Sequence, residues 1–127
     1  MGIRANAKSS LITHVSLIFL VLLVTNPRAF AQAFDPAHIL SHPSSYDGKR
    51  LTVSGTLKNA LAETTREGKD YTTFDLCNDT CMKVFLWGRP KLREGQRQSV
   101  SGTFETRKHV GPYTLENVLE THEGSIR

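Results

Sequence analysis

The stretch Gly48-Lys-Arg-Leu-Thr-Val-Ser-Gly-Thr-Leu57 returns, in weaker copy, as Gly95-Gln-Arg-Gln-Ser-Val-Ser-Gly-Thr-Phe104. In register, Gly48/Gly95, Arg50/Arg97, Val53/Val100, Ser54/Ser101, Gly55/Gly102 and Thr56/Thr103 are identical, and Leu57/Phe104 is apolar in both copies. Leu51, Val53 and Leu57 alternate with Arg50, Thr52, Ser54 and Thr56, the period of a half-buried strand. Each copy therefore predicts a strand entered through a glycine turn. Gly55 falls on the inward parity, where a glycine marks a bend or a close backbone approach.

The first 31 residues are read separately. Arg4 and Lys8 precede an apolar run from Leu11 to Val24, and small-residue sites follow at Ala29-Phe-Ala31 and Ala31-Gln-Ala33. This is the grammar of a secretory signal peptide, and the run is shorter than the roughly 20 residues of a spanning helix. Residues 1–31 are predicted to be that signal, 32–47 a short helix and lead-in, and 48–127 the body of the domain. The expected location is periplasmic or secreted, with no stable membrane span after cleavage. Without the leader, Lys plus Arg falls from 16 to 13 (Arg4, Lys8 and Arg28 go) while all 12 acids remain. A net charge near +1 does not by itself point to nucleic acid.

Asp35-Pro36 suits a helix start, with Asp35 as cap and Pro36 at the first turn, and Ser41 to Tyr46 ends that helix. Lys58 to Lys69 reads as a polar connection. Tyr71–Leu76 and Met82–Trp87 read as two strands flanking Cys77-Asn-Asp-Thr-Cys81. If Cys77 faces Cys81, then Leu76 faces Met82, Asp75 faces Lys83, Phe74 faces Val84, Thr73 faces Phe85 and Tyr71 faces Trp87. The apolar pairs then share one face, whereas a one-residue slip would set Phe74 against Lys83. Thr80 sits uneasily in this register if the loop needs a left-handed residue there. Pro90–Arg93 is read as one helical turn, Gln96–Thr106 as a fourth strand and Arg107–Pro112 as a loop. A fifth strand starts near Tyr113, with a bulge at Asn117-Val118.

Val53-Ser-Gly-Thr56, Tyr71-Thr-Thr-Phe-Asp-Leu76, Val84-Phe-Leu-Trp-Gly88, Leu92-Arg-Glu-Gly95 and Val100-Ser-Gly-Thr-Phe104 together resemble the OB-fold superfamily, from Gly48 to about His122. The resemblance implies an all-β fold with small helical additions: a five-stranded Greek-key barrel whose bent first strand pairs with the fourth. It also implies a binding site on the outer face of the second and third strands. By parity that face carries Tyr71, Thr73, Asp75, Lys83, Phe85 and Trp87, with Arg89 beyond it and Arg50 and Arg97 on the same parity of the two repeated strands. Exposed aromatics stack bases or sugars and the cations follow phosphates, whereas Phe85 and Trp87 covered by the N-terminal helix or the long loops would serve packing alone. The predicted activity is therefore non-enzymatic binding of single-stranded nucleic acid or an oligosaccharide. An envelope protein is the alternative partner.

Cys77 and Cys81 are the only cysteines, and in an exported chain they most simply form a disulfide. Copper on Cys77, Cys81 and Met82, or a redox-active pair, is a competing reading; zinc would find half its ligands missing. His109-Val-Gly-Pro-Tyr113 loosely resembles the His-x-x-x-Tyr motif of the haem chaperone of cytochrome c maturation, and Gly88-Arg-Pro-Lys-Leu-Arg-Glu-Gly-Gln96 loosely resembles another part of that family. Here the motif precedes the last strand and no proline-rich tail follows it. No cofactor or metal is expected. The serines lack a motif linking them to a base, so no enzyme is predicted.

Overall fold

A computed structural model describes residues 32–127, and the signal-peptide reading of residues 1–31 lies outside them. The chain forms α1 (Pro36–Leu40), α2 (Pro43–Tyr46), β1 (Arg50–Thr64), β2 (Asp70–Cys77), β3 (Cys81–Trp87), β4 (Arg97–Val110) and β5 (Tyr113–His122). Asp35 caps α1 by accepting from the Ala37 N–H at 3.5 Å, with Pro36 in the first turn as predicted. Ile39 carries the apolar side of α1 into the core, fully buried. The sequence reading missed α2, and residues 90–93 form no helical turn.

The repeated segments lie side by side. Val53 pairs with Val100 at the centre of an antiparallel ladder that runs from Arg50↔Thr103 to Thr56↔Arg97. Because the two valines are equivalent positions of the repeat, the ladder has a local two-fold relation through that pair. The hydrogen bonds obey it. Gly48 N–H donates to Phe104 O and Gly95 N–H to Leu57 O, both at 2.8 Å. Leu57 N–H donates to Gln96 O and Phe104 N–H to Lys49 O, both at 2.9 Å. Gly48 and Gly95 make the two entry turns at φ 78° and 83°, a region that strains residues with a side chain.

The β2–β3 hairpin has the predicted register along its whole length, from Tyr71↔Trp87 to Cys77↔Cys81. The cysteines form the disulfide. Thr80 poses no conflict, since the only non-glycine residues with positive φ among the described residues are Asn59 and Asn117. The bulge expected at Asn117-Val118 is absent, since β4 and β5 keep one register from Thr103↔Glu120 to Val110↔Tyr113; Asn117 instead takes a φ of 52°, and the two residues that follow it, Val118 and Leu119, are both buried.

Two strands are longer than the sequence suggested. β1 continues through the polar segment to Thr64, its register against β2 shifting between Lys58 and Leu61, where Asn59 takes a φ of 56°. β4 runs on to Val110 and joins β5 through Gly111-Pro112, so residues 107–110 are strand and not loop.

The expected Greek-key barrel requires correction, and with it the OB-fold assignment. The fold is mostly β with two short helices, its five strands joined in one sheet with neighbours β1-β2-β3-β5-β4 and β4 pairing back to β1. That ring does not run round one axis and is not a true barrel. β1 pairs with β4 over Arg50–Thr56 and with β2 from Thr56 to Thr64, across the shift. The sheet also buries apolar residues on both faces, where a barrel has one interior. One cluster holds Val53, Leu57, Phe74, Val84, Val100, Phe104 and Leu119; the other holds Tyr71, Phe85, Val110 and Val118.

The two repeat glycines explain their own conservation of position within the repeat. A Cβ on Gly102 would meet the Glu120 carbonyl oxygen of β5 well inside contact distance, and one on Gly55 would come within 3.0 Å of the Cys77 nitrogen of β2. Gly102→Ala should therefore cost about 1–3 kcal/mol, the range for overpacking, and Gly55→Ala less. Urea unfolding should show the lower midpoint for Gly102→Ala with an unchanged slope; equal midpoints would contradict the close approach to β5.

Candidate functional site

The face expected to bind bases or sugars is packed. Phe85 is completely buried and Tyr71 is 9% exposed. Tyr71 stacks on Phe85 with ring centroids 4.9 Å apart, and Trp87 meets Phe85 edge-on at 4.7 Å. The structure thus brings Tyr71, Phe85 and Trp87 together as predicted, but as the centre of the second apolar cluster. What covers them is the far half of the β4–β5 hairpin, the segment read as loop. Val110 and Leu115 pack into the cluster, and Lys108 Nζ sits 4.9 Å from the Phe85 ring centroid. Lys69 Nζ lies 3.9 Å from the Trp87 ring centroid. A base or sugar has no aromatic platform here, so nucleic-acid or oligosaccharide binding by this face is withdrawn.

The other predicted site residues are dispersed. Lys83 pairs with Asp75 at 2.8 Å, beside Thr73. The Arg89 guanidinium donates to Thr64 Oγ1 at 3.1 Å and lies 3.7 Å from Asp70. Arg97 donates to Asn78 Oδ1 at 2.9 Å, and Arg50 stands on the β1–β4 ladder, away from the aromatic cluster. The metal and haem readings also fall. Cys77 and Cys81 are consumed by the disulfide, His109 Nδ1 is 3.0 Å from Thr114 Oγ1 across the hairpin, and no group of three or more potential ligands occurs among the described residues.

Sequence reasoning missed a charged network from three strands at the edge of the aromatic cluster. Trp87 Nε1–H donates to Glu120 Oε2 at 2.8 Å, and Lys108 Nζ is 2.9 Å from the other Glu120 oxygen and 4.0 Å from Glu105. Burial raises the Glu120 carboxyl, but hydrogen bonds from Lys108 and Trp87 outweigh it and hold the group below its usual range. Glu105 is raised, first by burial and then by the Glu120 charge, with only partial relief from Lys108. Its Oε2 is buried without a hydrogen-bond partner.

A groove of about 570 Å³ opens beside this network, between the β1–β2 turn and the β4–β5 turn. Glu63 to Glu67 form one wall, Val110 to Tyr113 the other, and Tyr71 lies between them. The Tyr71 hydroxyl donates to Glu63 Oε2 at 2.6 Å; that bond, with burial, pushes its pKa up to about 12, so it stays a neutral donor. Among the described residues, Tyr113 at 67% and Leu61 at 55% are the large hydrophobic side chains left exposed. Leu61 pairs with Thr73 and Glu63 with Tyr71, which puts Leu61 on the same face of β1 as the groove wall. No protein-family profile matches the chain, and no curated protein matches it.

The raised Glu105 gives a pH test. A carboxyl whose folded value lies above its unfolded value costs stability once pH exceeds the folded value, and that cost vanishes below the unfolded one. Glu105→Gln should accordingly be more stable than the native protein at neutral pH. The gain should shrink as pH falls through the raised Glu105 range and disappear below the ordinary glutamate value. Urea midpoints across pH measure this, and a gain independent of pH would refute the buried-carboxylate account.

Proposed function

We propose that the protein is an exported, non-enzymatic domain that works by holding a segment of another envelope protein in the groove between its β1–β2 and β4–β5 turns. The observation that carries this reading is the pair of exposed apolar side chains, Tyr113 and Leu61, beside a groove in which Tyr71 is tied to Glu63. A tyrosine with its ring in solvent offers a large apolar surface and a hydroxyl at small entropic cost, a property of interface anchors. Beyond Asn59 the strand β1 pairs with β2 on one side, and its Ala60 N–H is capped by Glu94 Oε1 at 2.7 Å on the other. The segment from Leu61 to Thr64 thus presents backbone groups to an extended partner, which β-strand addition uses.

The reading is non-enzymatic because no histidine or cysteine lines the groove, and Glu63 and Tyr71 in it have structural work. Glu105, Glu120 and Lys108 seal the aromatic cluster, and Glu63 holds the Tyr71 hydroxyl. Export rests on the leader-like first 31 residues and accords with the disulfide. No helix among the described residues is long and apolar enough to cross a membrane.

A photo-crosslinking amino acid at position 113, compared with one at exposed Lys49, tests the proposal in cells. Position 113 should give discrete adducts with an envelope protein, position 49 should not, and Leu61→Asp should reduce the adducts by about tenfold or more, as loss of a hot-spot contact does. Absence of adducts at 113, or the same adducts from both positions, would overturn it.

A further inference from the structure

We infer that the closing segment Gly124–Arg127 divides a phosphate-binding surface, with one cationic groove on either side of it. The first groove, about 630 Å³, has Arg50 and Arg127 in its lining, with Thr52, Ser101 and Ser125 between them. The second, about 430 Å³, has Lys91 and Arg93, and shares Gly124 with the first. Neither lining contains an aspartate or glutamate. In residues 32–127 basic and acidic side chains nearly balance, 13 against 12, so a surface with four cationic side chains and no acidic one is a segregation of side-chain charge.

These cations are also uncommitted. Arg50, Lys91, Arg93 and Arg127 take part in no ion pair among the described residues, while Lys83, Arg89 and Lys108 each do. The nearest acids in sequence are engaged elsewhere: Glu94 accepts from the Ala60 N–H and Glu123 from the Arg89 N–H, both at 2.7 Å. The floor of the first groove is set by the repeat. Thr52 and Ser101 pair across the β1–β4 ladder, their hydroxyls 2.8 Å apart, and Phe34 and Ile126 add one bridge to each outer edge of that ladder. Backbone bonds between Ser99 and Arg127, at 2.7 and 2.8 Å, hold Arg127 against β4.

A guanidinium fork matches a phosphate or carboxylate by parallel hydrogen bonds, and hydroxyls complete the shell. Two cations in each groove suit a doubly charged phosphate better than a singly charged carboxylate. The ligand class is therefore a phosphate group, free or as a lipid headgroup. The surface is separate from the polypeptide groove proposed above and stands without it.

The test is a titration of the ¹⁵N-labelled protein with inorganic phosphate, with acetate and sodium chloride at matched ionic strength as comparisons. Phosphate should give saturable shifts at Thr52, Ser101, Ser125 and Ile126, and the Arg50→Gln/Arg127→Gln variant should bind at least about tenfold more weakly, as loss of charged hydrogen bonds requires. Both side chains are exposed, so the variant should fold, which its spectrum reports directly. Sedimentation with phosphatidylcholine vesicles, with and without phosphatidic acid, separates the sources: pelleting only with phosphatidic acid assigns the lipid headgroup, and saturable shifts without pelleting assign free phosphate. Shifts that follow ionic strength alone, or that persist in the double variant, would overturn the inference.

Discussion

The fold depends on two places where a third strand passes against the β1–β4 ladder at backbone distance. At Gly55 the passing backbone is Cys77 of β2, and at Gly102 it is Glu120 of β5. A methyl group at either point would push the neighbouring strand away, and at Gly102 there is no room for one at all. Because the glycines are equivalent positions around the Val53↔Val100 pair, the central ladder meets β2 at one end and β5 at the other by the same device. The sequence repeat thus records a local two-fold in hydrogen bonding and steric clearance. It does not duplicate a functional unit.

That constraint accounts for the two-sided burial. With β2 and β5 held to opposite ends of the ladder, β3 pairs antiparallel with β2 and parallel with β5. One face of these strands closes over Phe74, Val84 and Phe104. The other keeps Tyr71, Phe85 and Trp87, far too much apolar surface to leave in water at roughly 25 cal/mol per Å². The long β4–β5 hairpin supplies the cover through Val110, Val118 and Leu115, and the left-handed Asn117 lets β5 change which residues face inward on the way. The exposed tip of that hairpin then becomes one wall of the groove.

Local features were legible in the sequence and long-range ones were not. The Asp35-Pro36 helix start, the glycine turns and the Tyr71–Trp87 hairpin register each follow from residues close in the chain, as does the break in alternation at Asn117, although it is a left-handed residue and not a bulge. The extension of β1 through Lys58–Thr64 did not, because polar, exposed residues carry no alternation and only the partner strand β2 makes them a strand. The same holds for Arg107–Val110, whose strand exists because β5 lies beside it. The aromatic face was read correctly as to membership, while its exposure stayed open between a binding face and one covered by the helix or long loops. Parity shows which side chains share a face; it is silent on what lies above them.

The polar network over that face shows how far such a site is from sequence view. Glu105, Lys108, Glu120 and Trp87 come from three strands, and their roles are decided by donor count. Two partly buried carboxyls compete for a single ammonium. Glu120 also receives the Trp87 indole N–H and so holds its charge, while Glu105 keeps one oxygen without any donor and is driven toward its protonated form. Exchanging their fates would require moving the indole, which packs edge-on with Phe85 and has Lys69 over its ring. The ionic arrangement is therefore a consequence of aromatic packing, and it orients the hairpin more than it stabilises it, since desolvation offsets much of the Coulombic gain of such a pair.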